Sequence, residues 1–181
     1  MKKADNRKLI RWCVIGVFAA MAMASLWHFI YNWLPCEFLS VLSPVNESAW
    51  EHAKLFYIPP LIWYAVTYFA VGRRYPNYVF SCAVSLILMP ALLLAMYSIY
   101  SPFLDETLPL DIVNSLVTIA FGMWTVYRLT VSKWSLGGHA LILASLFILI
   151  GLMVLYAAMT YYPIEHPLFM DNRTGQYGIP R

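Results

Sequence analysis

Five long stretches of the chain contain no Asp, Glu, Lys or Arg, and they decide its predicted architecture. They run over residues 12–36, 55–72, 75–104, 112–127 and 134–164. A helix needs about 20 mainly apolar residues to cross a bilayer. The pattern therefore predicts five transmembrane helices followed by a tail over 162–181, with the helices over about 10–34, 54–72, 77–99, 109–128 and 136–161.

Prolines interrupt two of these predicted helices. Pro59 and Pro60 fall in the second helix and Pro90 in the third. Proline removes a backbone donor and crowds the preceding turn, so both helices are expected to kink. In the first helix, Ala22-Met23-Ala24 resembles a signal-peptidase site, but the apolar run continues to Trp33 and favours an uncleaved helix.

The composition agrees with a chain that lies mostly in a bilayer. Of its 181 residues, 61% are hydrophobic and 12% are charged, and the mean hydropathy is +0.65. A soluble domain of this size would leave too much of that apolar surface in water. No Gly/Ser linker or internal repeat divides the sequence. We expect an all-α polytopic membrane protein with a single membrane domain over 1–181.

The charged residues are sorted between the two ends of the predicted helices. With the N-terminus in the cytoplasm, nine of the 12 basic residues lie on the inner side and eight of the nine acidic residues on the outer side. The positive-inside rule then predicts an N-in, C-out topology. The basic residues form no continuous stripe, so nucleic-acid binding is excluded. The inner basic residues are Lys2, Lys3, Arg7, Lys8, Arg11, Arg73, Arg74, Arg128 and Lys133.

The densest polar segment is Asn46-Glu47-Ser48-Ala49-Trp50-Glu51-His52-Ala53-Lys54, before the second helix. Ser48-x-x-Glu51 is typical of a capping box that opens a helix. Capping accounts for Ser48 and Glu51, but it does not explain Glu47, His52 and Lys54. A purely structural segment and a functional one both remain open here.

Two predicted helices carry polar stripes at helical spacing. The first has Ser25, His28 and Asn32, and the fourth has Asp111, Asn114, Ser115 and Thr118. Polar stripes within a span face the bundle interior or water. Hydrogen bonding between helices is the structural alternative, which we favour for Ser115 and Thr118. For Asp111, near the interface, exposure to solvent is the alternative.

Three of the four histidines fall on the predicted outer side: His28, His52 and His166. The tail is too apolar for a disordered segment and is expected to fold back over the bundle. Together with a carboxylate, the three imidazoles form a candidate shell for zinc or another divalent metal. Glu47 or Glu51 is the candidate general base. The chain has no HExxH motif, and hydrogen-bonded structural histidines are the alternative.

Three segments carry a resemblance to a known family. They are Trp27-His28-Phe29, the block from Asn46 to Lys54 and His166-Pro167-Leu168-Phe169. The chain resembles a family of small bacterial membrane proteins of the Firmicutes type, classed as a domain of unknown function, and the block is the most specific part. The resemblance implies a multi-pass protein of the bacterial cytoplasmic membrane and implies no reaction.

Three functions follow from these features. The first is a metal-assisted hydrolase at the extracytoplasmic mouth, acting on a lipid or envelope substrate. The second is a small transporter or ion-binding protein, in which His28 and Asp111 are the coupling groups and the prolines of the second helix break it at a site. The third is a structural membrane protein whose outer segments and tail bind a protein partner.

Overall fold

The computed structural model describes residues 3–104 and 107–180, and the predictions that concern Lys2, Asp105, Glu106 and Arg181 lie outside them. Eight α-helices occur in this part of the chain, and short 3-10 helices occupy Ala53–Phe56, Gly72–Arg74 and Pro167–Phe169. The α-helices are α1 (Lys3–Trp27), α2 (Ile30–Trp33), α3 (Glu37–Leu42), α4 (Ala49–His52), α5 (Ile58–Ala70), α6 (Tyr78–Tyr100), α7 (Leu108–Thr130) and α8 (His139–Tyr161).

Four segments are long and apolar enough to cross a membrane, so the chain is an all-α protein compatible with a bilayer. They are Asn6–Trp33, which contains most of α1 and all of α2, and the three long helices α6, α7 and α8. Each of those three has 23 residues and lies close to its predicted position. The predicted number of five spans is not confirmed.

The segment predicted as a second span, 54–72, is divided instead of forming one long helix. A 3-10 helix over Ala53–Phe56 leads through Tyr57 into α5, which has 13 residues. Pro59 and Pro60 lie in the first turn of α5. Their missing N–H groups have no intrahelical partner at that position, so the prolines start a helix where a kink was expected. Pro90 lies inside α6.

The bundle is built around close contact between α6 and α7, with α1 against α7 and α5, and α8 against α6 and α3. Leu86 and Met89 of α6 are buried, as is Ile119 of α7. A side chain at Gly122 would collide with Met89, so glycine lets these helices approach closely. Ser85 Oγ donates to the Gly122 carbonyl at 2.9 Å, which joins the two helices again.

The antiparallel helices give the bundle two ends of different character. We call one the polar end; it comprises residues 28–57, the described residues 101–104 and 107 between α6 and α7, and the tail 162–180. The tail packs onto this end, because the rings of Trp50 and Phe169 lie 4.8 Å apart and Asn46 Nδ2 donates to the Gly178 carbonyl at 2.8 Å. The tail therefore folds back over the bundle as the sequence predicted.

Candidate metal centre

A break at the end of α1 places His28. The helix ends at Trp27, and His28 and Phe29 form a turn before α2 begins. Trp27 Nε1 donates to the Leu42 carbonyl at 2.9 Å, and Ser43 Oγ donates to the Trp27 carbonyl at 2.8 Å. These two hydrogen bonds hold the C-terminal end of α1 against the C-terminal end of α3.

The short helix α4 places His52. Its N-cap is Ser48, whose Oγ accepts the Glu51 backbone N–H at 3.2 Å. Asn46 Oδ1 accepts the Ser48 N–H at 2.9 Å, and Glu51 Oε2 accepts the Val45 N–H at 3.1 Å. The predicted cap therefore forms, although Glu51 bonds to Val45 and not to Ser48 as a full capping box requires. His52 ends this well-anchored turn.

His28, Glu47 and His52 converge on one point at the polar end. The two Nε2 atoms lie 3.0 Å apart, and Glu47 Oε2 lies 3.5 Å from that of His28 and 3.4 Å from that of His52. Two ligand atoms bound to tetrahedral zinc at 2.0–2.1 Å lie about 3.3 Å from each other. The three separations match the edges of such a shell. The side chains are 21–29% exposed, so an ion can reach them.

Hydrogen bonding fixes the orientation of the His52 ring. Its Nδ1 lies 2.9 Å from the Ser48 carbonyl, an acceptor only, so Nδ1 carries the proton and donates it. In the neutral ring this leaves the Nε2 lone pair facing His28 and Glu47. A backbone carbonyl that holds the second nitrogen is the usual support for a metal-binding histidine.

Packing holds the ring of His28. It meets Phe29 edge-on at 5.0 Å between ring centroids and stacks on His52 at 5.1 Å. Its Nδ1 is buried and has no hydrogen-bond partner within the described chain. His28 therefore lacks the polar support that His52 has.

The charge of Glu47 is stabilised by its neighbours. Hydrogen bonds from His28 and His52 hold the pKa of Glu47 far below its usual range, against the opposing effect of burial. Burial lowers the pKa of His52, but the hydrogen bond and negative charge of Glu47 outweigh it, and the net pKa is raised. Glu47 is thus an ionised carboxylate that can pair with a cation, either a protonated histidine or a metal ion.

A cavity of about 580 Å³ opens beside these three side chains, between α1, α6 and α7. Both predicted polar stripes reach it. Ser25, His28 and Asn32 line it from the first stripe, and Asp111, Asn114 and Ser115 line it from the second. Thr118 is fully buried beside it, with Oγ1 3.5 Å from Asn114 Oδ1.

His166 does not join His28 and His52. It is exposed, and its Nδ1 accepts the Leu168 N–H at 3.2 Å, which caps the short 3-10 helix of the tail. Its ring is thereby committed to the local structure of the tail. The predicted third histidine ligand is replaced in the group by the carboxylate of Glu47.

Glu51 and Lys54 lie in a separate buried cluster. Lys54 Nζ lies 2.6 Å from Glu51 Oε2 and 2.7 Å from both the Ser40 carbonyl and Thr160 Oγ1. Thr160 Oγ1 also lies 2.8 Å from Glu51 Oε1. The polar atoms of Glu51 are used within this cluster, away from the role of general base that the sequence suggested.

Arg173 is a site residue that sequence reasoning missed. Its Nη1 lies 3.3 Å from Glu47 Oε1, and the side chain is 75% exposed. Asp171 forms the turn that presents it, since its Oδ1 accepts the N–H groups of Arg173 and Thr174 at 2.7 and 3.1 Å. Arg173 and Glu47 are distant in sequence, and no local pattern links them.

Comparison with known proteins gives a family but no activity. The sequence model of a family of unknown function, DUF6512, matches residues 1–179. The chain therefore belongs to the DUF6512 family. No curated protein and no solved structure matches the chain.

Proposed function

We propose, for this member of a family without an assigned activity, that His28, Glu47 and His52 bind one divalent metal ion such as zinc in a metal-assisted membrane hydrolase. The observation that carries the proposal is the convergence of their ligand atoms, all within 4.8 Å of one another. Two imidazoles and one carboxylate are a known ligand set of catalytic zinc, which leaves a fourth position for water or substrate.

The surrounding residues support hydrolysis in that cavity. A bound zinc ion supplies Lewis acidity and a water of lowered pKa. The Ser48 carbonyl keeps the Nε2 lone pair of His52 on the ligand side. Glu47 serves as a ligand, and we assign the role of general base to Asp111, which lies in the cavity wall and whose charge acts on His52.

The charge pattern supports a location for this centre. Arg7, Lys8, Arg11, Arg73, Arg74, Arg128 and Lys133 lie at the end opposite the polar end. By the positive-inside rule we infer an N-in, C-out topology in which the polar end faces out of the bacterial cytoplasmic membrane. The 3-10 helix over Ala53–Phe56 and α5 then form a fifth, interrupted crossing over about 54–72, and the substrate comes from the lipid or the envelope.

Zinc binding tests the proposal. Detergent-purified protein is equilibrated with a zinc salt by dialysis, and the bound zinc is measured by inductively coupled plasma mass spectrometry. About one zinc per chain is expected in the wild type and much less in His28→Ala and His52→Ala. His139→Ala and His166→Ala are the matched controls and should retain the ion. A wild-type protein that binds no zinc, or binds it equally in all four variants, would contradict the proposal.

An interrupted helix beside the cavity favours transport as a second function. Leu55 and Phe56, in the 3-10 helix between α4 and α5, line the cavity together with Asp111. Transporters build their ion sites at such breaks. Proteoliposomes with the wild-type protein should then show an ion flux that Asp111→Asn and His28→Ala abolish, whereas an unaltered flux in both variants would count against it.

A further inference from the structure

We propose that the cavity beside the His28–Glu47–His52 group binds one acyl chain of a membrane lipid whose headgroup is anionic. This inference rests on the proposed function, because it names the substrate class of that site. Three features of the cavity support this inference: the chemistry of its walls, the exposure of some wall residues at the bundle surface, and the position of Arg173 at the mouth of the cavity.

The cavity has two chemically different parts. Met21 of α1, Leu55 and Phe56 before α5, and Leu93 of α6 supply apolar wall, whereas the metal-binding group and Arg173 lie at the polar end. Its volume of about 580 Å³ falls in the range of about 300–1,000 Å³ that is typical of small-molecule sites. A ligand that fills both parts must carry an apolar chain next to a polar group.

The apolar part reaches the lateral surface of the bundle. Phe29 and Ile112 line it and are 48% and 47% exposed, and Leu108 lines it and is 73% exposed. All three belong to segments long and apolar enough to cross a membrane. A lipid chain can therefore enter beside Phe29 and the first turns of α7 directly from the bilayer, without passing through water.

The polar part selects an anion. Arg173 is largely exposed and is presented by a turn whose Asp171 is only 6% exposed. A guanidinium is suited to paired hydrogen bonds with phosphate or carboxylate. Once a divalent ion is bound, the ion and Arg173 together outweigh the negative charges of Glu47 and Asp111. The headgroup of the substrate is therefore a phosphate or carboxylate.

Dodecyl phosphate is the probe that tests this inference. Zinc-loaded protein in a neutral detergent is titrated with it, and bound molecules per chain are counted by native mass spectrometry. One molecule per chain is expected. Ile112→Trp and Ser115→Trp fill the cavity and should weaken binding at least about tenfold. Val154→Trp, at a residue of α8 that is 62% exposed, is the matched control and should bind as the wild type does.

Two further arms test the headgroup and separate a lipid from a free phosphate. Arg173→Gln should lower the affinity for dodecyl phosphate about tenfold, while Lys133→Gln at the opposite end should not. Inorganic phosphate at equal concentration should not displace the probe. Equal affinity in Ile112→Trp and Val154→Trp, or full displacement by inorganic phosphate, would overturn the inference.

The zinc content of each sample is measured in parallel and keeps the two proposals distinct. A protein that binds dodecyl phosphate in an Ile112-dependent manner but holds no zinc would refute the metal centre and its part in anion selection, and would leave the acyl-chain site standing. A protein that holds zinc through His28 and His52 but does not bind dodecyl phosphate would refute the lipid site and leave the metal centre standing.

Discussion

At the scale of single residues, the two ring nitrogens of His52 have different tasks. Nδ1 donates to the Ser48 carbonyl, and Nε2 faces His28 and Glu47. A proton on Nε2 gives Glu47 a cationic partner when no metal is bound. A metal ion at the same position must displace that proton, because only the unprotonated nitrogen can be a ligand.

Metal affinity is therefore expected to fall as the pH falls. Burial lowers the pKa of His52, but Glu47 outweighs it and raises the pKa, so the competing proton is held up to a higher pH than in a free histidine. Below that pKa, each pH unit should weaken zinc binding about tenfold, because one proton is released per ion. Zinc titrations between about pH 5 and pH 8 measure the slope.

His166→Ala serves as the control for this titration, because its ring lies outside the group and its loss should leave the slope unchanged. An affinity that is independent of pH over the whole range would show that His52 is not a ligand.

At the scale of the elements, the buried cluster around Lys54 connects α3, α4 and α8. Lys54 Nζ bonds to Glu51 of α4, to carbonyls of Ser40 and Ser43 at the end of α3, and to Thr160 of α8. Both charged side chains are almost completely buried. A buried pair of this kind is costly to break, because the remaining charge loses its partner and has no water.

Lys54→Met is expected to destabilise the fold by about 3–5 kcal/mol, because it leaves Glu51 buried and unpaired. The double variant Glu51→Gln with Lys54→Met removes both charges and should recover much of that loss. Thermal unfolding in detergent measures both. Glu37→Gln, at an exposed residue of α3, is the control and should change little. Equal losses in the single and double variants would show that the pair itself is not what holds these elements together.

Local patterns in the sequence predicted the long helices and the cap of α4 well. The apolar runs of α6, α7 and α8 are continuous, so their ends lie within three residues of the predicted positions. The second predicted helix differs from the observed structure, because hydropathy alone does not show that a pair of prolines starts a helix. Its apolar run continues through a 3-10 helix that a pattern of hydrophobic residues does not distinguish from an α-helix.

The candidate site was only partly predictable for a related reason. His28, His52, Glu47, Asp111 and Asn114 were selected because spacing within a helix or a motif marks them. The partner of Glu51 and Lys54 in α8, and the position of Arg173, depend on how the tail and α8 pack against the loop. The contacts of Thr160 with Lys54 and Glu51, and of Arg173 with Glu47, join residues more than 100 positions apart, so no local pattern encodes them.

At the scale of the whole molecule, charge and polarity distinguish the two ends of the bundle. The polar end carries the histidine–carboxylate group and the folded tail, and the other end carries most of the described basic side chains. Four segments between them are long and apolar enough to cross a bilayer. The inferred topology places the metal-binding group outside the cell.

Cysteine labelling tests this orientation. Cys36 is exposed at the polar end, and Cys13 and Cys82 are buried. A membrane-impermeant maleimide added to intact cells should label Cys36. A Cys36→Ser protein that carries Lys133→Cys at the opposite end is the matched control and should react only after the cells are permeabilised. The reverse pattern would place the polar end in the cytoplasm.

The central claim is that His28, Glu47 and His52 surround one metal ion, and X-ray absorption at the zinc edge tests it most directly. Zinc-loaded protein should show only nitrogen and oxygen neighbours at about 2.0–2.1 Å, with outer scattering from two imidazole rings, and the residual zinc in His52→Ala should show only one of the two. A sulfur neighbour at about 2.3 Å, or a spectrum unchanged in His52→Ala, would contradict the account.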